Sequence, residues 1–404
     1  MTGRNLKKFL YAVYPLAVLI YLAELISDAV RPGICLTAVL LLAGACIFLS
    51  GSFTLKTTED RIFAGYLVYN ILSGIWCLYY GIPVSVYIGE VSTTALPMVF
   101  YYAGRDCREE ETGRLYLSYA LAALLMGLIG VVLYIWAPRF YLDFSYEKLF
   151  ISVADAPTSR VRMNSLVGSG ALAAFTTYAV CVSAFFIRSG EGKKKAAGLF
   201  LIVPSVIFTF MANQRSAMFC VILTVIFFFF ADYVFDRTAS KKPLFIGSGC
   251  IAAAVAAVFF FARGVFEKFY ARLISIPQGF SERSESWVAA VNDMKNIWLG
   301  GGLGSRGHRA ALYQQYIVAD GGLVKLYTEM GIIGTSLIIF LIFLVYKKAF
   351  RDIGALVPEI AVITCAILMS IGSNVLEIEL CAPIVYFCLG RAVRVICEKS
   401  RSGS

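Results

Sequence analysis

The chain has 404 residues, 59% of them apolar and only 15% charged, where soluble domains run at about 45–50% apolar and about 25% charged. At about 20 apolar residues per membrane crossing, the apolar residues (roughly 238) would fill about twelve helices, which excludes an ordinary string of soluble domains. The formal net charge of +10 invites a nucleic-acid reading, and the placement of the charges argues against it.

Lys7 and Lys8 precede the first apolar run with no small-residue cleavage site after it, so this run reads as an uncleaved first span rather than a signal peptide. In chain order, spans are expected near 9–27, 33–50, 62–80, 84–103, 115–136, 166–187, 196–212, 216–235, 244–262, 322–346, 356–374 and 377–396. Lipid offers no hydrogen-bond partner and period-two alternation is absent, so these segments must be helices. The expected fold is all-α: one integral-membrane domain over 1–404, a polytopic bundle of about twelve transmembrane helices. Outer loops fall at 137–165 and, larger, at 263–321.

Cytoplasmic loops draw Lys and Arg. With the N-terminus inside, the inner segments hold 22 Lys+Arg in 70 residues and the outer segments 14 in 109. Both termini are therefore expected in the cytoplasm, most of the positive charge is topogenic, and nucleic acid is not an expected partner. The outer basic residues are 10 Arg to 4 Lys; the inner ones are 11 to 11. Guanidinium binds phosphate oxygens bidentately and ammonium does not, so the outer face suits a phosphate or another oxyanion. Eleven Cys lie outside the long polar loops without zinc spacing, and there is a single His. Neither a disulfide framework nor a multi-histidine metal site is expected; metal and cofactor are both read as none.

Several outer residues stand out along the chain. Glu24 and Glu90 lie within spans without an obvious partner. Arg160 and Arg162 precede the sixth span, where they suit either an anion or snorkelling to lipid headgroups. Arg215 occupies a very short outer turn, which makes it a functional candidate beside the same snorkelling alternative. In the large loop, Val265, Phe266, Phe269, Leu273 and Ile276 fall near one helical face, and Trp287, Val291, Met294 and Trp298 repeat the pattern. Both stretches read as interfacial helices, packing on the bundle and walling a site at headgroup level. The run Gly300-Gly301-Gly302-Leu303-Gly304-Ser305-Arg306-Gly307-His308 has no following Gly-Lys-Ser/Thr, so it is no nucleotide loop. It reads either as backbone able to approach an anion closely or as a plain turn. Asp320 and Glu329 bracket the start of the tenth span; Lys325, four residues before Glu329, gives Glu329 a structural partner.

Arg283-Ser-Glu-Ser-Trp287, then Gly300-Gly-Gly-Leu-Gly304, then Asp320-Gly-Gly-Leu-Val-Lys-Leu-Tyr-Thr-Glu329-Met-Gly331-Ile-Ile-Gly334 resembles the signature of bacterial O-antigen ligases and Wzy-type surface-polysaccharide polymerases. Arg215-Ser216 between two spans and Arg160/Arg162 before another also fit that pattern, and the span plan covers essentially the whole chain. The resemblance implies a GT-C-like bundle in the bacterial plasma membrane that transfers glycan without a metal on the outer face. The implied donor is a glycan on polyprenyl (undecaprenyl) diphosphate, the acceptor is a glycan hydroxyl, and a chain-length regulator is a candidate further partner. Carried over by position, Arg215 and Arg283 clamp the diphosphate with Arg160 or Arg162, and Asp320 is the general base or acceptor-hydroxyl orienter. Arg306, His308 and Glu329 join Arg160 and Arg162 as substrate-binding candidates. Family ligases place His nine residues before the Glu of the tenth-span motif; Asp320 stands there, as in many polymerases. This favours a polymerase that joins lipid-linked repeat units. A ligase moving finished glycan is the alternative, and a transporter or flippase of lipid-linked oligosaccharide comes third.

Overall fold

The computed structural model describes residues 7–27, 29–136, 139–149, 162–189, 192–235 and 276–402. Their regular secondary structure is all helical, with no strand among them. The helices are α1 (Val13–Ile26), α2 (Pro32–Leu49), α3 (Thr58–Leu72), α4 (Val84–Glu90), α5 (Phe100–Asp106), α6 (Glu109–Trp136), α7 (Arg139–Lys148), α8 (Ser169–Ser189), α9 (Lys193–Ala212), α10 (Arg215–Phe235), α11 (Ile276–Asn292), α12 (Gly322–Ala349), α13 (Val357–Ser370) and α14 (Ala382–Ser402).

Among the described residues, seven helices are long and apolar enough to cross a membrane: Lys8–Ile26, Pro32–Leu49, Thr58–Tyr79, Glu109–Trp136, Ser169–Arg188, Lys193–Ala212 and Gly322–Ala349. Their outward faces carry large apolar side chains such as Leu41, Phe48, Val132, Phe200 and Phe340. Water would penalise so much exposed apolar surface and lipid does not, so the chain is a membrane protein. α8 lies at the centre, packed on α6, α9, α10 and α13. α5 meets α14 with a glycine on each side: a Cβ on Gly104 would strike the Phe387 carbonyl, and one on Gly390 the Tyr101 carbonyl. Small residues are what let helix backbones approach so closely in lipid.

Of the twelve expected spans, not all are regular α-helices of membrane-crossing length among the described residues. The fourth expected span, 84–103, is a broken element: α4 runs into a π-helical turn over Val91–Ala95, a short turn Leu96–Met98, and then α5. Pro97 has no amide proton to continue an α-helix, so the break has a local cause. The helix at 357–370 is apolar but short. The ninth span (244–262) and the first amphipathic stretch of the large loop (265–275) lie outside the described residues. The second stretch is not one helix either: α11 ends at Asn292, Trp287 is buried against Ala290 and Val318, and Trp298 is largely exposed.

Several charged residues of the described connecting segments meet in ion pairs at one end of the bundle. At one end, Lys7 pairs with Asp106, which also accepts from Ser52 Oγ. Arg105 binds Asp60 through Nε and Nη2 at 2.6 and 2.9 Å, Lys348 pairs with Glu59, and Arg391 pairs with Glu359 at 2.7 Å and reaches Thr112. Many basic residues of these segments therefore also tie the bundle together. At the opposite end lie the 300–322 segment, the connection after α13 and the turn between α9 and α10, and here the candidate residues gather.

α12 is interrupted at Gly331, whose φ of 61° and ψ of −168° are non-helical. Such a conformation is essentially restricted to glycine, and a Cβ there would also run into the Trp298 carbonyl. Gly331→Ala should therefore lower stability by about 1–3 kcal/mol, read as a fall of several degrees in the unfolding temperature of detergent-solubilised protein. An unchanged temperature would contradict the strain ascribed to this position.

Candidate functional site

The break in α12 frees main-chain groups, and the glycine run supplies their partners. Gly301 N–H donates to Thr328 O at 2.9 Å and Gly302 N–H to Glu329 O at 2.8 Å; Ile332 and Ile333 amides donate to Ile297 and Trp298 carbonyls. Gly300 and Gly302 have φ of 73° and 86°, and neither site has room for a Cβ. Tyr69 on α3 donates its hydroxyl to both Leu299 O and Met330 O. The glycine run is thus neither a plain turn nor an open anion cradle. It lies against a helix break and does approach an anion, one of the chain's own: Arg306 N–H donates to Glu329 Oε1 at 3.0 Å.

Beneath this segment is a buried charge cluster. Lys325, 1% exposed, lies 2.7 Å from Glu377 Oε1, 3.1 Å from Glu90 Oε2 and 3.7 Å from Glu329 Oε1. Arg309 Nη1 adds a contact to Glu90 at 3.7 Å. Three carboxylates thus face two cations, most of them withdrawn from water. Burial pushes the Glu377 carboxyl, on the connection after α13, above its ordinary range, and Lys325 draws it part of the way back. Glu90 therefore has a partner that local sequence could not reveal, since Lys325 is 235 residues away. The available signal was charge balance: an acidic residue inside an apolar run needs a counter-ion.

The expected catalytic residues sit beside this cluster at its wet edge. Arg283 Nη2 and Asp320 Oδ2 are 3.0 Å apart, with side chains 41% and 51% exposed. Arg283 Nη1 also donates to Gly372 O at 3.1 Å. Trp287, one turn along α11, donates Nε1 to the Asp320 carbonyl at 2.5 Å. Arg283, Trp287 and Asp320 are thus locked into one corner, with a guanidinium and a carboxylate open to solvent.

Arg215 opens α10 and is half-buried. Its neighbour Gln214 reaches Ser373 Oγ at 3.4 Å, one residue beyond the carbonyl that receives Arg283. Arg162 is exposed, and the next residue, Met163, donates its amide to Met211 O at 2.9 Å, at the end of α9. Arg162, Arg215 and Arg283 thus come from three separate segments, tied together through Met163 on Met211, Gln214 on Ser373 and Arg283 on Gly372. Arg160 lies outside the described residues.

The remaining candidates are placed differently. Arg306 is 4% exposed and is held by Asp293 Oδ2 at 2.8 Å and by the carbonyls of Asp293 and Tyr316. It braces the loop from within, apart from the Arg283–Asp320 corner, with its Nε buried and without a hydrogen-bond partner among the described residues. Glu329 is 3% exposed and belongs to the lysine cluster. His308 is exposed, at the start of a short 3-10 turn. No family model matches this chain, and no curated protein matches it.

Proposed function

We propose that the chain is a surface-polysaccharide polymerase of the bacterial plasma membrane, with both termini cytoplasmic, that joins polyprenyl-diphosphate-linked repeat units on the outer face. The carrying observation is the corner formed by Arg283, Trp287 and Asp320 at the bundle end where Arg162 and Arg215 also stand. In this reading the acceptor hydroxyl attacks the anomeric carbon of the donor glycan and passes its proton to Asp320. The bond from that carbon to the diphosphate oxygen breaks, and the lipid diphosphate leaves with the electron pair. Arg283, Arg215 and Arg162 meet the charge that develops on it, in a mouth where preorganised donors are most effective. The 3.0 Å ion pair to Arg283 fixes where the Asp320 carboxylate stands in this corner.

A ligase moving finished glycan to another acceptor would use the same corner, and a flippase would need none of its chemistry. The purified protein should therefore be given lipid-linked repeat units and no second acceptor. Lengthened lipid-linked glycan is the expected product. Its absence, with activity appearing only when a second acceptor is added, would replace polymerase by ligase; no glycosidic bond in either case would end the transferase reading.

A further inference from the structure

An open cavity of about 570 Å³ lies at the same end of the bundle, between the α1–α2 connection, α4, the end of α7 and the segment carrying Arg309. Its size is within the usual range of ligand sites, about 300–1,000 Å³. Arg31, Lys148 and Arg309 line it together with Glu24 and Glu379, so cations outnumber carboxylates. The first turn of α2, Pro32–Ile34, forms part of the wall, and the start of a helix favours negative charge. Ile34 and Ile88, also in the wall, are 65% and 59% exposed on helices whose outer faces are apolar. A polar basin with three cations therefore opens beside a lipid-facing apolar edge.

From this geometry we infer that the groove binds the phosphate-bearing head of a membrane lipid, with the basic residues on the phosphate and the acyl or prenyl chain over Ile34 and Ile88. The inference goes beyond the polymerase reading and stands without it, because the groove shares no residue with the Arg283–Asp320 corner. Arg309 joins the groove to the buried cluster through Glu90 at 3.7 Å. A bound phosphate would therefore compete with Glu90 for that guanidinium.

Glu379 gives the groove a pH dependence. Its carboxyl lies on the connection before α14, and burial pushes it from an ordinary 4.5 up to about 7 against the pull of Arg309. The other charged groups lining the groove are Glu24, Arg31, Lys148 and Arg309. Below about 7 Glu379 is neutral and the net charge favours an anion; above it, the carboxylate opposes one. The same raised value makes the folded state bind more protons than the unfolded chain between 4.5 and about 7. Glu379's contribution to stability is thus full below 4.5 and lost as pH rises through about 7.

The test is a titration of purified full-length protein with undecaprenyl phosphate, read by native mass spectrometry. An Arg283→Ala, Arg215→Ala, Arg162→Ala background removes the cations of the other candidate anion site. One bound lipid is expected, with inorganic phosphate binding far more weakly. Arg31→Gln with Lys148→Gln should weaken it at least about tenfold, since a charged hydrogen bond contributes about 1.5–3 kcal/mol. Glu379→Gln should instead tighten binding at pH 8 and abolish the weakening between pH 6 and pH 8, a gain that misfolding cannot mimic. Equal affinity in wild type and all variants, no bound lipid, or inorganic phosphate binding as tightly as the lipid would each overturn the proposal.

Discussion

Arg283→Ala is expected to reduce glycan transfer by about 10²–10³-fold, the usual cost of removing one preorganised donor from a developing anion. Stability should barely move. The Arg283–Asp320 pair is roughly half exposed, and such pairs contribute about 0–1 kcal/mol. The variant therefore separates chemistry from folding: turnover falls while the unfolding temperature stays within a few degrees. Arg283→Lys retains the charge and loses the planar fork, so it should recover only part of the activity. Asp320→Asn removes the proton acceptor and frees Arg283 from its partner. It should abolish transfer while donor binding holds or tightens. Assays with lipid-linked repeat units and radiolabelled sugar would read both. Wild-type turnover in Arg283→Ala would remove this residue from the mechanism, and wild-type turnover in Asp320→Asn would do the same for the proton acceptor.

Lys325→Met should have the opposite profile. The ammonium is 1% exposed and sits among Glu90, Glu329 and Glu377. Its removal leaves three acidic groups facing one another with only Arg309 nearby and the Arg306 amide on one oxygen. Breaking a buried ion pair from one side costs about 3–5 kcal/mol, enough to lower the yield of folded protein and its unfolding temperature by many degrees. Adding Glu90→Gln to Lys325→Met should restore part of the loss, because it deletes one of the stranded charges. The two changes are then non-additive, as expected of groups in contact. A Lys325→Met protein as stable as wild type, or strictly additive effects in the double variant, would count against the cluster as a structural keystone.

Sequence and structure agree best where one physical rule dominates. Runs of apolar residues located the helices Lys8–Ile26, Pro32–Leu49 and Gly322–Ala349 within a few residues, because lipid leaves helix as the only way to satisfy the backbone. The break between Glu90 and Phe100 was less legible. Hydropathy is blind to whether a turn is α or π, and only Pro97 hinted at it. The Gly331 break was hidden for a related reason: glycine is common in membrane helices, and its positive φ is imposed by the Trp298 backbone lying against it. The Asp320–Arg283 pairing could not be read from spacing, since the two residues come from separate elements. Arg306 shows the converse risk. Its type and position suited phosphate, yet Asp293 and two carbonyls already surround it.

The contact between the glycine run and α12 has a consequence for how this region tolerates change. It is made by main-chain atoms, Gly301 and Gly302 amides on one side and Thr328 and Glu329 carbonyls on the other. The Leu299 side chain makes none of those bonds. A single inserted or deleted residue between Ile297 and Gly302 would shift the register of every one of them and carry Arg306, with its hold on Glu329, out of alignment. The segment should therefore be intolerant of any change in length.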